Sequence, residues 1–302
     1  MRQKLWSATK KEIISSNLYE YEKFLSKFYN YKITKNYSKL LNWSIKNKEK
    51  FWSSIWDYCK VKGFKSYKFN YSSELFKNKF LIKSKLNFAE NLLQKNDNSK
   101  AITFISENGF REIKSWKKLN YNVSKIIQLF KKIGLKEKDR VACYLPNIIE
   151  TVESFVATVG IGAIWSSCSP DFGTNGLIER FSQIKPKILI ICDRYYYNGK
   201  EINIIERLPF ILKKIKSIKN VIVIKYPGKN YLNYKKVKGI NFFKWSDLLN
   251  EHNQAKKSLL ERVLKTSGGS QSEAARDIGM SRQQFNQLCK RHGVTHERTT
   301  EH

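Results

Sequence analysis

From about residue 100 the apolar positions fall into short runs that alternate with longer stretches at helical spacing. Residues 101–105, 140–144, 163–167, 187–192 and 220–224 are compact apolar runs that predict strands. Residues 119–133, 149–160, 175–184 and 201–215 carry apolar side chains three and four apart, which predicts helices between those strands. Asn108-Gly109 marks a turn. Strands and helices in strict alternation predict a parallel α/β sheet, because each crossover lays a helix on one face. Residues 1–98 are aromatic-rich and mostly helical in pattern, with Phe51-Trp52 and Ile55-Trp56 placed to cap that sheet.

The pattern changes near residue 256. Leu259, Leu260, Val263, Leu264, Ala274, Ile278, Met280, Phe285 and Leu288 recur at helical spacing, enough for one small three-helix core. Ser270 with Glu273, and Ser281 with Gln284, are each spaced as a capping box and mark two helix starts independently. Ala275, Gly279 and Phe285 supply the small contact residue, the turn glycine and the apolar anchor of a helix-turn-helix. The outward residues of the third helix are Arg282, Gln283, Asn286, Gln287, Lys290 and Arg291, amide and guanidinium groups able to address base edges and phosphates. A solvated helix would ordinarily mix in acids, and none occurs from Met280 to Thr295. The double-stranded DNA reading is therefore preferred for this helix.

Composition sharpens the boundary. Residues 1–255 hold 42 Lys against 6 Arg, whereas residues 256–302 hold 4 Lys against 5 Arg and three of the four His. The net charge of +31 lies mainly in the first part, as single Lys among Asn, Ile, Tyr and Phe rather than as one stripe. That distribution fits a compositional bias better than a dedicated binding face, although it would still attract DNA non-specifically at low salt. No apolar run reaches the length of a membrane span, the longest being 155–165. Five Cys without paired spacing predict a reducing, cytoplasmic setting with no disulfide framework. Cys289, His292 and His296 have a spacing a metal could use, but with no fourth ligand on a helix they are read as a half-buried thiol and exposed imidazoles.

Two resemblances follow from motifs. Gly268-Gly269 ahead of Ser272-Glu273-Ala274-Ala275-Arg276, then Ile278-Gly279-Met280-Ser281-Arg282 and Lys290-Arg291-His292-Gly293, resemble a Fis-type helix-turn-helix over about 257–294. The resemblance implies that Ser281, Arg282, Gln284, Asn286 and Gln287 enter a major groove. It also admits a homodimer, although a single helix precedes the motif here. The family often carries Arg or Lys where Asn286 and Gln287 stand, which implies fewer phosphate contacts. Ser84 to Leu93, Asp139-Arg140-Val141, Tyr144-Leu145-Pro146-Asn147, the run Gly162 to Gly173 and Tyr197-Asn198-Gly199-Lys200-Glu201 resemble the acetoacetyl-CoA synthetase family of adenylate-forming acyl-CoA ligases, over about 5–249. Ordinary structural roles fit the same residues: Gly162 and Gly173 as turns, Pro146 and Pro170 as loop starts, Asp171 as a helix cap.

That ligase resemblance implies ATP, magnesium and CoA as cofactors, yet it stops just before the Ser/Thr/Gly-rich loop ending in Lys that would hold ATP phosphates. Thr266 to Ser270 is similar in composition but has no following Lys. Adenylyl transfer rests on positioning and charge stabilisation, so without those groups no catalytic residue and no working cofactor site is expected. Lys200, after Asn198-Gly199, remains the one candidate for a CoA phosphate contact, weighed against an exposed turn lysine. The expected organisation is a helical cap at 1–98, an incomplete α/β ligase domain at 99–255 and a DNA-binding helix-turn-helix at 256–302. Three readings of the join stay open: a DNA-binding module on an inactive ligase domain, an acetoacetate–CoA ligase or fragment with an incidental tail, and a join that was never selected as one protein.

Overall fold

The structure, a computed structural model, describes residues 5–292 and Val294, and the side chains of all of these except 249–257 and His292. The chain divides into two compact units, the first ending at Leu92. The first unit holds helices α1 (Lys10–Ile14), α2 (Asn17–Phe28), α3 (Tyr37–Lys46) and α4 (Lys48–Tyr58), the first three of which start at polar caps. Thr9 and Glu12 close a capping box, Ser16 accepts from the Tyr19 amide, and Asn36 accepts from the Lys39 amide. Their core is Tyr21, Leu25, Tyr31 and Leu40, with Trp43, Phe51 and Ile55 packed against it. The expectation of a mostly helical segment holds only to Tyr58. Beyond it the chain is irregular up to the short α5 (Phe88–Leu92), with the bridges Phe64↔Lys85 and Asn70↔Lys79. Scattered Gly, Ser and Asn interrupt the helical period there.

The second unit opens with an antiparallel hairpin, β1 (Lys100–Ile105) and β2 (Arg111–Ser115). Ser115 caps the following α6 (Trp116–Lys132), whose stripe Leu119, Val123, Ile126, Leu129 and Phe130 is buried. Next come β3 (Arg140–Tyr144), α7 (Ile149–Gly160), β4 (Ile164–Cys168), α8 (Thr174–Ile184) and β5 (Ile188–Cys192). A second hairpin, β6 (Arg194–Tyr197) and β7 (Lys200–Asn203), precedes α9 (Leu208–Lys214), β8 (Asn220–Ile224) and β9 (Asn241–Lys244). The main sheet has the order β4-β3-β5-β8-β9 and every pair in it is parallel. Every residue of β5 and β8 is buried, as a parallel sheet covered on both faces requires. Each fully buried Ile or Val of these strands contributes roughly 1.5–3 kcal/mol relative to exposure.

Two expectations change here. Residues 201–215 form no single helix: strand β7 comes first, then a 3₁₀ turn at Ile205–Arg207, then α9 with Pro209 in its first turn. Proline has no N–H and its ring clashes with the preceding turn, so a helix can begin at Pro209 but not run through it. Ahead of α8 the N-cap is Gly173 rather than Asp171, whose carboxylate instead accepts from the Ser169 hydroxyl at 2.9 Å.

After β9 a helix of 22 residues, α10 (Trp245–Thr266), runs without a break across residue 256, where the composition changes. Helices α11 (Gln271–Asp277) and α12 (Arg282–His292) follow. Leu260, Leu264, Ala274, Ala275, Phe285, Cys289 and Val294 form their shared core, with Val263, Ile278, Met280 and Leu288 at its edge. Leu259 was expected inside and is 45% exposed. One position on an α-helix is a 100° rotation, so a core face carrying Leu260 and Leu264 turns Leu259 toward solvent.

Candidate functional site

The second and third tail helices are set by a tight turn. The Gly279 amide donates to the Arg276 carbonyl at 3.1 Å and the Met280 amide to the Ala275 carbonyl at 2.9 Å, with Gly279 at φ 67°. That backbone conformation costs an L side chain strain that glycine avoids. Ser281 then caps α12 reciprocally: the Gln284 amide donates to Ser281 Oγ at 3.2 Å and the Ser281 amide donates to Gln284 Oε1 at 3.1 Å. The matching box at α11 closes on one side only. The Glu273 amide donates to Ser270 Oγ, but the Ser270 amide is taken by the Ser267 carbonyl at 2.9 Å. Ser267 is further held by its hydroxyl donating to Asp277 Oδ2 at 2.7 Å.

With Phe285 and Cys289 turned inward, α12 presents Arg282, Gln283, Gln284, Gln287, Lys290 and Arg291 as exposed residues, and Asn286 half-buried. No carboxylate lies on that helix. The capping bonds tie up the Ser281 hydroxyl and one end of the Gln284 amide, which leaves Arg282, Gln283, Gln287, Lys290 and Arg291 as the groups with free outward reach. Burial raises the Cys289 thiol above its ordinary range, so it behaves as a core residue rather than as a thiolate ligand. The His292 side chain and His296 lie outside the described residues. Among the described residues no cluster of three His, Cys, Asp or Glu could hold a metal ion.

Lys200 opens β7 directly after the two-residue turn Asn198-Gly199, at φ 50° and 71°. It is exposed, as a turn lysine would be. The Gly199 amide donates to Glu107 Oε2 at 3.0 Å, so a carboxylate stands where a phosphate would need that amide. The residues present therefore fit a CoA phosphate poorly. The loop between α10 and α11 has no Lys following its Gly and Ser residues.

The comparisons with known proteins account for both halves. A model of AMP-binding enzymes matches residues 89–260. The chain belongs to the AMP-binding enzyme family. A second model, of bacterial regulatory proteins of the Fis family, matches residues 254–287, so the two matches overlap inside α10. Acetoacetyl-coenzyme A synthetase of Rhizobium meliloti is 36% identical over 194 residues, covering 64% of this chain and 30% of that protein. Acetoacetyl-CoA synthetase of Xenopus tropicalis is 38% identical over 200 residues, covering 63% of this chain and 29% of that protein. The solved acetoacetyl-CoA synthetase of Streptomyces lividans superimposes with a TM-score of 0.73 at 24% identity, over 82% of this chain and 38% of that one. The second unit of this member of the AMP-binding enzymes thus has an adenylate-forming α/β fold, and the chain spans about a third or less of the length of the relatives it matches.

Among the described residues no helix is long and apolar enough to cross a membrane. One group of interest has no counterpart among the expectations: Glu150 and Glu153, one turn apart on the otherwise uncharged α7. A charge one turn from another on a helix written Ile-Glu-Thr-Val-Glu-Ser-Phe-Val-Ala was the signal that could have found them.

Proposed function

We propose that the chain is a sequence-specific binder of double-stranded DNA through α12, carried on an acetoacetyl-CoA synthetase-like part that does not turn over. The observation that supports this most is the acid-free outward face of α12, begun by a reciprocal cap and fixed on a closed three-helix core. Arg282 stands in the first turn, where a docked helix-turn-helix meets base edges, and Arg paired to guanine is the commonest specific contact. Lys290 and Arg291 lie two turns further on and reach backbone phosphate. A homodimer would place two such helices on one duplex. The cytoplasm is the compartment this reading assigns.

The test is a binding-site selection followed by affinity measurements on the full chain. Arg282→Ala should cost about 1–3 kcal/mol at the selected site and relax its preference, whereas Lys290→Ala should weaken all DNA alike and flatten the salt slope by about one unit. Equal losses on selected and random DNA in both variants would refute the groove assignment. Acetoacetate, ATP and CoA should give no pyrophosphate with the purified chain. Pyrophosphate release would instead favour the second reading, an acetoacetate–CoA ligase, which rests on the match over residues 89–260.

A further inference from the structure

A buried charged group sits where β2, α6 and α7 meet, away from the tail and from the Asn198-Gly199 turn. Lys114 of β2 is only 9% exposed, with its Nζ 3.1 Å from Glu112 Oε1 and 3.5 Å from Glu153 Oε1. Asn122 of α6 donates to the same Glu153 oxygen at 2.7 Å. Glu153 is fully buried, yet its other oxygen, Oε2, and Oε2 of Glu150 have no hydrogen-bond donor among the described residues. A buried carboxylate oxygen without a donor costs several times what an ordinary hydrogen bond contributes, so native proteins rarely leave two together. Both residues line a cavity of about 300 Å³ whose other walls include Phe110, Tyr231 and Trp245.

From this arrangement we infer that the cavity is a binding site for a small organic cation, a primary ammonium group on a short apolar stem. The sign follows from the wall charges: Glu112, Glu150 and Glu153 against Lys114 and the exposed Lys225. A divalent metal is disfavoured because no cluster of three His, Cys, Asp or Glu able to hold one occurs among the described residues, and Lys114 already occupies the carboxylates from one side. A guanidinium wants both oxygens of one carboxylate in its fork, whereas the free oxygens here belong to two residues one helical turn apart. An ammonium carries three donors on one atom and can meet both. The apolar part of the wall, Phe110, Tyr231 and Trp245, suits the stem.

Burial raises the Glu150 carboxyl to about 7, with Glu153 and Glu112 raising it further and Lys114 opposing them. Lys225 follows β8 at the mouth of the cavity, and the Cys192 thiol of β5, raised well above its ordinary range by burial, stays neutral. Ammonium binding should therefore strengthen between pH 6 and pH 8 as Glu150 ionises. Calorimetric titration of the full chain with n-butylammonium, and with 1-butanol as its neutral counterpart, tests this. The expected result is one site per chain, at least tenfold weaker binding of butanol, and at least tenfold weaker ammonium binding in Glu150→Gln and in Glu153→Gln. The pH 6 to 8 gain should shrink in Glu150→Gln, because the remaining gain can come only from Glu153, whose carboxyl burial also raises. Lys225→Ala, at an exposed position that the fold does not need, should tighten binding by removing a like charge. No heat with butylammonium, equal affinity for butanol, or unchanged affinity in the Gln variants would each overturn the proposal. Should those variants fail to fold, unchanged or weakened binding in Lys225→Ala would overturn it as well.

Discussion

Phe285 sits at the centre of the three-helix tail core, and its removal should unfold that core without unfolding the parallel sheet. The ring is completely buried, packed in one cluster with Leu260, Leu264, Ala274, Ala275 and Cys289. Truncating a buried Phe to Ala removes its transfer free energy and leaves a cavity, a loss of about 3–5 kcal/mol. A three-helix unit of this size rarely has more than about 3–5 kcal/mol of stability in total. Phe285→Ala should therefore leave the tail largely unfolded at 25 °C, while the parallel sheet keeps its core. Hydrogen exchange on the full chain reads this directly. Protection should disappear at the Ala274 and Met280 amides, which donate to Ser270 and Ala275 carbonyls in the folded tail, and persist at the amides of β5 and β8. Affinity for selected and random DNA should fall together. Phe285→Leu, nearer in volume, should cost less than about 1.5–2 kcal/mol and keep both signals. Tail protection and DNA affinity within a factor of two of wild type in Phe285→Ala would refute the assignment of this core.

Two further outcomes are expected. Ser281→Ala removes the acceptor for the Gln284 amide and should cost the tail about 1 kcal/mol, and Ser281→Asp should restore that stability while still weakening DNA binding, since a carboxylate caps the helix but repels phosphate. If Ser281→Asp binds DNA as tightly as wild type, Ser281 is a cap without a place at the interface. Glu150, raised from 4.5 to about 7 by burial, is protonated in the folded chain and ionised in the unfolded one between those values, so its contribution is complete below about pH 4.5 and declines as pH rises through 7. The loss is on the order of 3 kcal/mol, and urea unfolding at pH 5 and pH 8 should show a smaller pH difference in Glu150→Gln than in wild type. An identical difference in the two proteins would place the titrating group elsewhere.

Whether an element could be read from the sequence depended on how local its cause is. Strands β5 and β8 announce themselves because Ile188 to Cys192 and Asn220 to Ile224 are buried on both faces and so lose the alternation that a half-exposed strand keeps. The turn before α12 is equally local, since Gly279 and the Ser281–Gln284 pair carry their reasons within six residues. The hairpin β6/β7 was also local, with Asn198-Gly199 supplying the left-handed turn that joins two strands. There the spacing of Ile202, Ile205 and Leu208 imitates a helix, and Pro209 is the residue that decides between the two patterns. The Glu150–Glu153–Lys114 group has no local signature of that kind. Lys114 and Glu153 lie 39 positions apart, and their meeting depends on β2 and α7 packing on opposite sides of α6 in sequence but together in space. A helix period places Glu150 and Glu153 on one face, yet only the tertiary structure shows that an oxygen of each is buried without a donor among the described residues. For that reason an outward-facing, acid-free helix could be written down from residues alone, while the buried carboxylate group had to wait for the fold.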